Sequence, residues 1–210
     1  MIYLVIADIK NTKGDCHDMW QPHNLLPTEV REYIENTKNN KTRVERYFAY
    51  SALSLSLKEF FSVDDFKIER NENGKPDLAD SHIHISLSHC EKLVAVAISD
   101  LGEIGVDVQC HVDIERSERL ETRFLKDLSF KNNELDIKYF LFEPDGNLKA
   151  IQPKTSYESD FLNKWTFAEA NIKCRGLSFS QISEINRLSK TTLSSTVEYQ
   201  NCKITTVIAK

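Results

Sequence analysis

At 210 residues, the chain is long enough for one domain or two small lobes and for a sizeable core. Its 40% hydrophobic and 28% charged content is that of a folded globular protein, and its 11 Phe, 7 Tyr and 2 Trp exclude long disorder. With 27 basic against 32 acidic residues and neither half a polycation, the sequence excludes a bulk nucleic-acid binder, so an anionic ligand would have to meet a local cluster of cations.

The chain opens on Ile2-Tyr3-Leu4-Val5-Ile6-Ala7, an apolar run that lacks a basic flank and ends at Asp8. It reads as a buried strand and not as a signal peptide. No run approaches the ~18 apolar residues of a membrane span. His17 to Pro27 is polar, with Pro22 and Pro27 as breakers. Thr28 is a candidate N-cap for a short helix. A second helix is predicted over 42–61, because Tyr47, Tyr50, Leu53, Leu57 and Phe61 recur at spacings of three and four. Phe66 to Ile68 is a short strand, and Asn73-Gly74-Lys75-Pro76 is a turn.

The middle of the chain alternates. Residues 83–88 and 93–98 are predicted strands. Ile104 to Gln109 is a third, with Ile104, Val106 and Val108 on one face and Gly105, Asp107 and Gln109 on the other. Residues 114–128 read as helix. Residues 138–142 and 148–151 read as a hairpin about Pro144-Asp145-Gly146-Asn147. A helix is expected over 160–174, ended by Gly176. Residues 191–199 and 202–209 form a closing hairpin. The likeness of the stretches 92–98 and 203–209 hints at a duplicated α+β lobe. The five cysteines, Cys16, Cys90, Cys110, Cys174 and Cys202, are odd in number and scattered, with no C-x-x-C pair. They indicate neither a zinc site nor a disulfide framework, so a reduced, cytoplasmic chain is expected.

Chemistry concentrates in two places. Trp165, Glu169 and Lys173 are spaced by four and share a helix face. They read either as an aromatic, a base and a cation for a phosphorylated ligand, or as a surface ion pair beside a packed indole. Asp107 and Gln109 present oxygens from one strand face, inside an otherwise apolar strand where an unpaired carboxylate is costly. Together with Glu169 they form a hard-ligand set of the kind that Mg²⁺ takes with substrate phosphates.

Four blocks now stand in order: Asn73-Gly74-Lys75-Pro76; Ile85-Ser86-Leu87-Ser88-His89; Gly105-Val106-Asp107-Val108; and the segment from Trp165 through Glu169 to Lys173. In that order the sequence resembles the Sfp-type 4′-phosphopantetheinyl transferases, over roughly residues 25–209. The resemblance implies an α+β fold of two similar lobes in a pseudo-twofold arrangement, residues 1–102 and 103–210, with the ligand cleft between them. It implies transfer of the 4′-phosphopantetheine arm of coenzyme A to a serine of an apo acyl or peptidyl carrier protein, releasing adenosine 3′,5′-bisphosphate. It implies Mg²⁺, with Mn²⁺ as the alternative ion, held by Asp107, Glu169 and Gln109. Glu169 would act as base and Lys173 would meet the pyrophosphate. Arg46, Lys75, Ser88 and His89 would hold the nucleotide end, with Arg43 as an alternative to Arg46. A monomer with neither nucleic-acid nor membrane partners is the corresponding expectation.

Two departures from the family pattern bear on activity. Gln109 stands where a glutamate is usual. The lost charge is worth about 4 kcal/mol per unit cation charge at about 4 Å and an effective dielectric of about 20, which desolvation partly offsets. Ala168 stands where a lysine is usual, and Lys164 or Arg175 would have to replace its charge. These departures keep open a second class, a catalytically impaired module that only binds coenzyme A or a carrier. A metal-dependent phosphohydrolase is a third, without a second acidic cluster to support it.

Overall fold

Both faces of the first strand are apolar because both are covered. The computed structural model describes residues 1–10 and 26–210, apart from 127, 129, 131, 134, 144, 158 and 159. The elements in chain order are β1 (Ile2–Asp8), α1 (Thr28–Glu35), α2 (Asn40–Phe61), β2 (Ile68–Arg70), β3 (Pro76–Leu78), β4 (His84–His89), β5 (Leu93–Ser99) and β6 (Ile104–Gln109). Then come α3 (Ile114–Leu120), running into a π-helical turn (Glu121–Leu125), β7 (Ile137–Phe142), β8 (Leu148–Ala150), β9 (Lys154–Thr155) and α4 (Phe161–Cys174). A 3-10 turn (Phe179–Glu184), α5 (Ile185–Leu188), β10 (Thr192–Tyr199) and β11 (Cys202–Ala209) complete the chain.

The strands form a five-stranded sheet, β4-β5-β1-β7-β8, a four-stranded sheet, β6-β11-β10-β9, and the small ribbon β2-β3. Period two sorts the side chains. Tyr3, Val5 and Ala7 of β1 and Val94, Val96 and Ile98 of β5 pack against Leu53 and Leu57 of α2. Ile2, Leu4, Ile6, Leu93, Ala95 and Ala97 face the other way, onto Ile104, Val106 and Val108 of β6 and Ile204 of β11. On the far side of the second sheet, α4 joins Val207, Ile182 and Ile185 in a third cluster. The layers therefore run helix, sheet, sheet, helix, and the fold class is α+β.

The two sheets also meet edge to edge. Val106 and Val108 hold their N–H groups away from β11. These are satisfied by Ser86 Oγ at 3.0 Å and Ser88 Oγ at 3.3 Å from β4. The alternation of β4 makes this work, since Ile85 and Leu87 pack toward α2 while the serines turn to β6.

Several expectations change. The five-stranded sheet does not respect a division after residue 102, because β7 runs parallel to β1 and carries β8 with it. Thr28 is the first helical residue after Pro27, not a cap, and its hydroxyl accepts from Arg31. Asn39 caps α2, so that helix starts before residue 42. The helix expected over 114–128 is an α-helix only to Leu120 and widens into the π turn. Asp160 caps α4 as its start requires, and Gly176 ends it with φ of 61°. The closing hairpin forms, turning through Gln200 and Asn201, both left-handed. Cys16, Pro22, Pro144 and the polar stretch up to residue 25 lie outside the described residues.

Candidate functional site

Gly105 sets the distance between α4 and β6. A Cβ there would stand 2.0 Å from the Ala170 carbonyl oxygen and 2.4 Å from the Cys174 nitrogen, so the helix backbone lies directly on the strand. That contact brings Glu169 and Lys173, one helical turn apart, over Asp107, two residues along the same strand face. Lys173 Nζ donates to Asp107 Oδ1 at 2.6 Å and to Ser88 Oγ at 2.8 Å. Ser88 Oγ in turn donates to Asp107 Oδ1 at 2.9 Å. Asp107 is buried, whereas the Lys173 side chain is 31% exposed and has one N–H left for a ligand.

Glu169 completes the cluster. Burial, and then the neighbouring Asp107 charge, push its carboxyl up to about 8, against a smaller opposing effect of Lys173. At neutral pH it is therefore predominantly protonated and hydrogen-bonds to Asp107, and it also accepts from the Trp165 side chain. Asp107 Oδ2 is buried with no hydrogen-bond partner among the described residues. Two carboxyl groups share a site that can ionise fully only if a cation joins them. The donor set, two carboxylates with the Gln109 amide on the same strand face, fits a hard divalent ion.

Ser88, Asp107, Glu169 and Lys173 do not themselves line a cleft, but a cleft of about 520 Å³ has on its wall His89, next to Ser88 in β4, and Gln109, two residues along β6 from Asp107. The N-terminus of α2 opens onto it through Asn39, Lys41 and Thr42, and Lys92 and Arg116 add cations from other elements. A helix N-terminus with cations around it favours phosphate. His89 Nε2 lies 3.2 Å from Glu45 Oε2. Burial lowers the His89 pKa, opposed by Glu45 and assisted by Lys173.

Asp107, Gln109, Glu169 and Lys173, expected to converge, lie near one another, and Ser88, which the resemblance assigned with His89 to the nucleotide end, instead bonds to Asp107 and Lys173. Two other expected residues stand elsewhere. Lys75 Nζ donates to the Cys174 carbonyl at 2.9 Å, and Asn71 and Asn73 both donate to the Gly176 carbonyl. The Asn-Gly-Lys-Pro loop thereby grips the C-terminal end of α4, where a cation suits the helix dipole. Arg46 lies 4.3 Å above the Tyr33 ring and donates to Thr37 Oγ1. Neither lines the cleft. Arg43 reaches Asn40.

Nor do the proposed substitutes for the missing lysine reach the site. Lys164 is paired with Glu121, and Arg175 with Glu103 and Thr191. Ala168 itself is fully buried in the apolar cluster around α4, so its side chain does not face the cleft. Trp165 is packed between Phe161 and Phe179. Residues missed by the sequence reading are Glu45, Lys41, Lys92 and Arg116. Lys41, one turn ahead of Glu45 at the start of α2, carried the only local signal.

The cysteines require a correction. Cys110 and Cys202 are joined in the structure, and the Cys90 sulfur lies beside them. Three strand ends bring them together, which sequence spacing cannot reveal. Among the described residues, no helix is long and apolar enough to cross a membrane. Compared with known proteins, the chain matches no family model and no curated protein.

Proposed function

We propose that the protein transfers the 4′-phosphopantetheine arm of coenzyme A to a carrier-protein serine. The observation that carries this reading is the convergence of Ser88, Asp107, Glu169 and Lys173, from three separate elements, beside a cleft edged with cations and a helix N-terminus. The bond formed joins the serine oxygen to the β-phosphorus of coenzyme A. The bond broken is the pyrophosphate bridge, and adenosine 3′,5′-bisphosphate leaves with the bridging oxygen.

Asp107 and Glu169, with Gln109 beside them, would hold Mg²⁺, which supplies charge neutralisation to the pyrophosphate. Lys173 donates to a phosphate oxygen as charge builds on the leaving group. Glu169, once ionised, takes the proton from the incoming hydroxyl, a poor nucleophile on its own. Lys41, Lys92 and Arg116 meet the remaining phosphate charge, in place of Arg46 and Lys75. The reading makes the protein a cytoplasmic monomer whose carrier docks beside the cleft.

One observation favours a second reading, a module that binds coenzyme A or a carrier without transfer. Lys173 sits directly on Asp107 and neutralises it without a metal. Mass spectrometry separates the two. Apo-carriers incubated with the protein, coenzyme A and Mg²⁺ should each gain ~340 Da, the mass of the transferred arm. Glu169→Ala should slow this by at least ~10²–10³. If no carrier gains mass while coenzyme A still raises the melting temperature, the protein is a binding module.

A further inference from the structure

Cys90, Cys110 and Cys202 occupy three strand ends at one corner of the cleft. Cys90 follows β4, its N–H bonded to the Leu93 carbonyl in the turn to β5. Cys110 follows β6, and Cys202 opens β11 opposite it, one step beyond the Gln109–Lys203 pair. Their three sulfurs all lie within 4.8 Å of one another. Cys202 is buried, whereas Cys90 and Cys110 line the cleft.

We propose that these three sulfurs, with the Cys110–Cys202 bond reduced, form a site for a thiophilic d¹⁰ cation of the Zn²⁺ class, distinct from the Asp107–Glu169 oxygen site. A tetrahedral thiolate site with metal–sulfur bonds of about 2.3 Å holds its sulfurs about 3.8 Å apart. The three sulfurs, already within 4.8 Å of one another, are within about an ångström of that spacing. The cleft supplies an approach path and an open fourth position, and soft sulfur selects this class of ion over Mg²⁺.

A dithiol, itself oxidised to a disulfide, delivers two electrons and two protons and opens the bond to two thiols. Binding the cation then converts three thiols to thiolates and releases three protons. In a reducing compartment the open form predominates, so the sulfurs are available.

The test uses the full chain carrying Cys16→Ser and Cys174→Ser, so that only the three thiols remain. After reduction and anaerobic desalting, a thiol assay should find three groups. Cd²⁺ should then give a thiolate charge-transfer band that saturates at one ion per chain, with Zn²⁺ displacing it and excess Mg²⁺ leaving it unchanged. Further replacement of Cys90 or Cys202 by Ser should weaken binding at least about tenfold. The oxidised protein should show no band. The proposal is overturned if only one thiol titrates after reduction, if Mg²⁺ competes, or if the Cys90 and Cys202 replacements leave affinity unchanged. Should those replacements unfold the chain, the melting temperature of the reduced parent decides, since it must rise with Cd²⁺ and a flat result rejects the site.

Discussion

The two helix-on-sheet interfaces are built alike and used differently. Under α2, Leu53 and Leu57 meet Val94, Val96 and Ile98, and all five are fully buried. Under α4, the strand offers Gly105, Asp107 and Gln109, and the helix offers Glu169 and Lys173. The first interface buries apolar area, which stabilises at about 25 cal/mol per Å². The second buries the Asp107 carboxylate beside the largely buried Glu169 carboxyl and a half-buried ammonium, and the desolvation of these groups offsets much of their attraction. A site with perturbed titration belongs where stability was given up, and the other interface supplies what this one lacks.

Cutting the apolar side should produce the largest loss of stability. Leu53→Ala should cost about 2–5 kcal/mol in urea unfolding while leaving Mg²⁺ affinity of the folded fraction unchanged. Equal loss of both would mean that the interfaces are not separable. Gly105→Ala attacks the spacing on the polar side. Overpacking typically costs about 1–3 kcal/mol, and here the added methyl meets backbone, so the upper end is expected. It should also weaken Mg²⁺ binding, measured calorimetrically, because Glu169 and Lys173 move with α4.

Titration sharpens the contrast more gently. The folded-state pKa of Glu169 is raised from 4.5 to about 8. Its stabilising contribution is therefore full below about pH 4.5 and lost as pH rises toward about 8. The metal-free melting temperature should fall across that window, and Glu169→Gln should flatten the fall. An unchanged slope in the variant would reassign the effect to other groups. The smallest effect is expected from Gln109→Glu, which restores a charge near the ion and should tighten Mg²⁺ binding by about tenfold or less, the Coulomb gain being largely offset by desolvation. Weaker binding would remove Gln109 from the ligand set.

Local periodicity made much of this legible. The i, i+2 face of β6 and the i, i+4 face of α4 put Asp107, Glu169 and Lys173 on the faces that meet in the fold, because those spacings fix direction within one element. Ser88 was singled out only by the resemblance, and its bonds to Asp107, Lys173 and Val108 were not legible in the sequence. What depended on distant partners was not. Lys75 sits in a loop whose sequence says turn, yet its ammonium is held by a helix end nearly a hundred residues away. The addition of β7 and β8 to the first sheet, the Glu45–His89 pair and the three cysteines arise the same way, from topology that brings separate strand and helix ends together.

The serine seam between β4 and β6 has a mechanical consequence. A strand at the rim of a sheet exposes unpaired amides that invite a foreign strand. Here two amides on the β6 rim are met by serine hydroxyls of β4 instead of a backbone ladder, so those amides are not open to a foreign strand. Ser88 holds one of those two stitches and also accepts from Lys173. Drawing the ammonium away would leave the Ser88 oxygen accepting from Val108 while its hydroxyl still donates to Asp107, so the ion pair and the joint between the sheets share one hydroxyl.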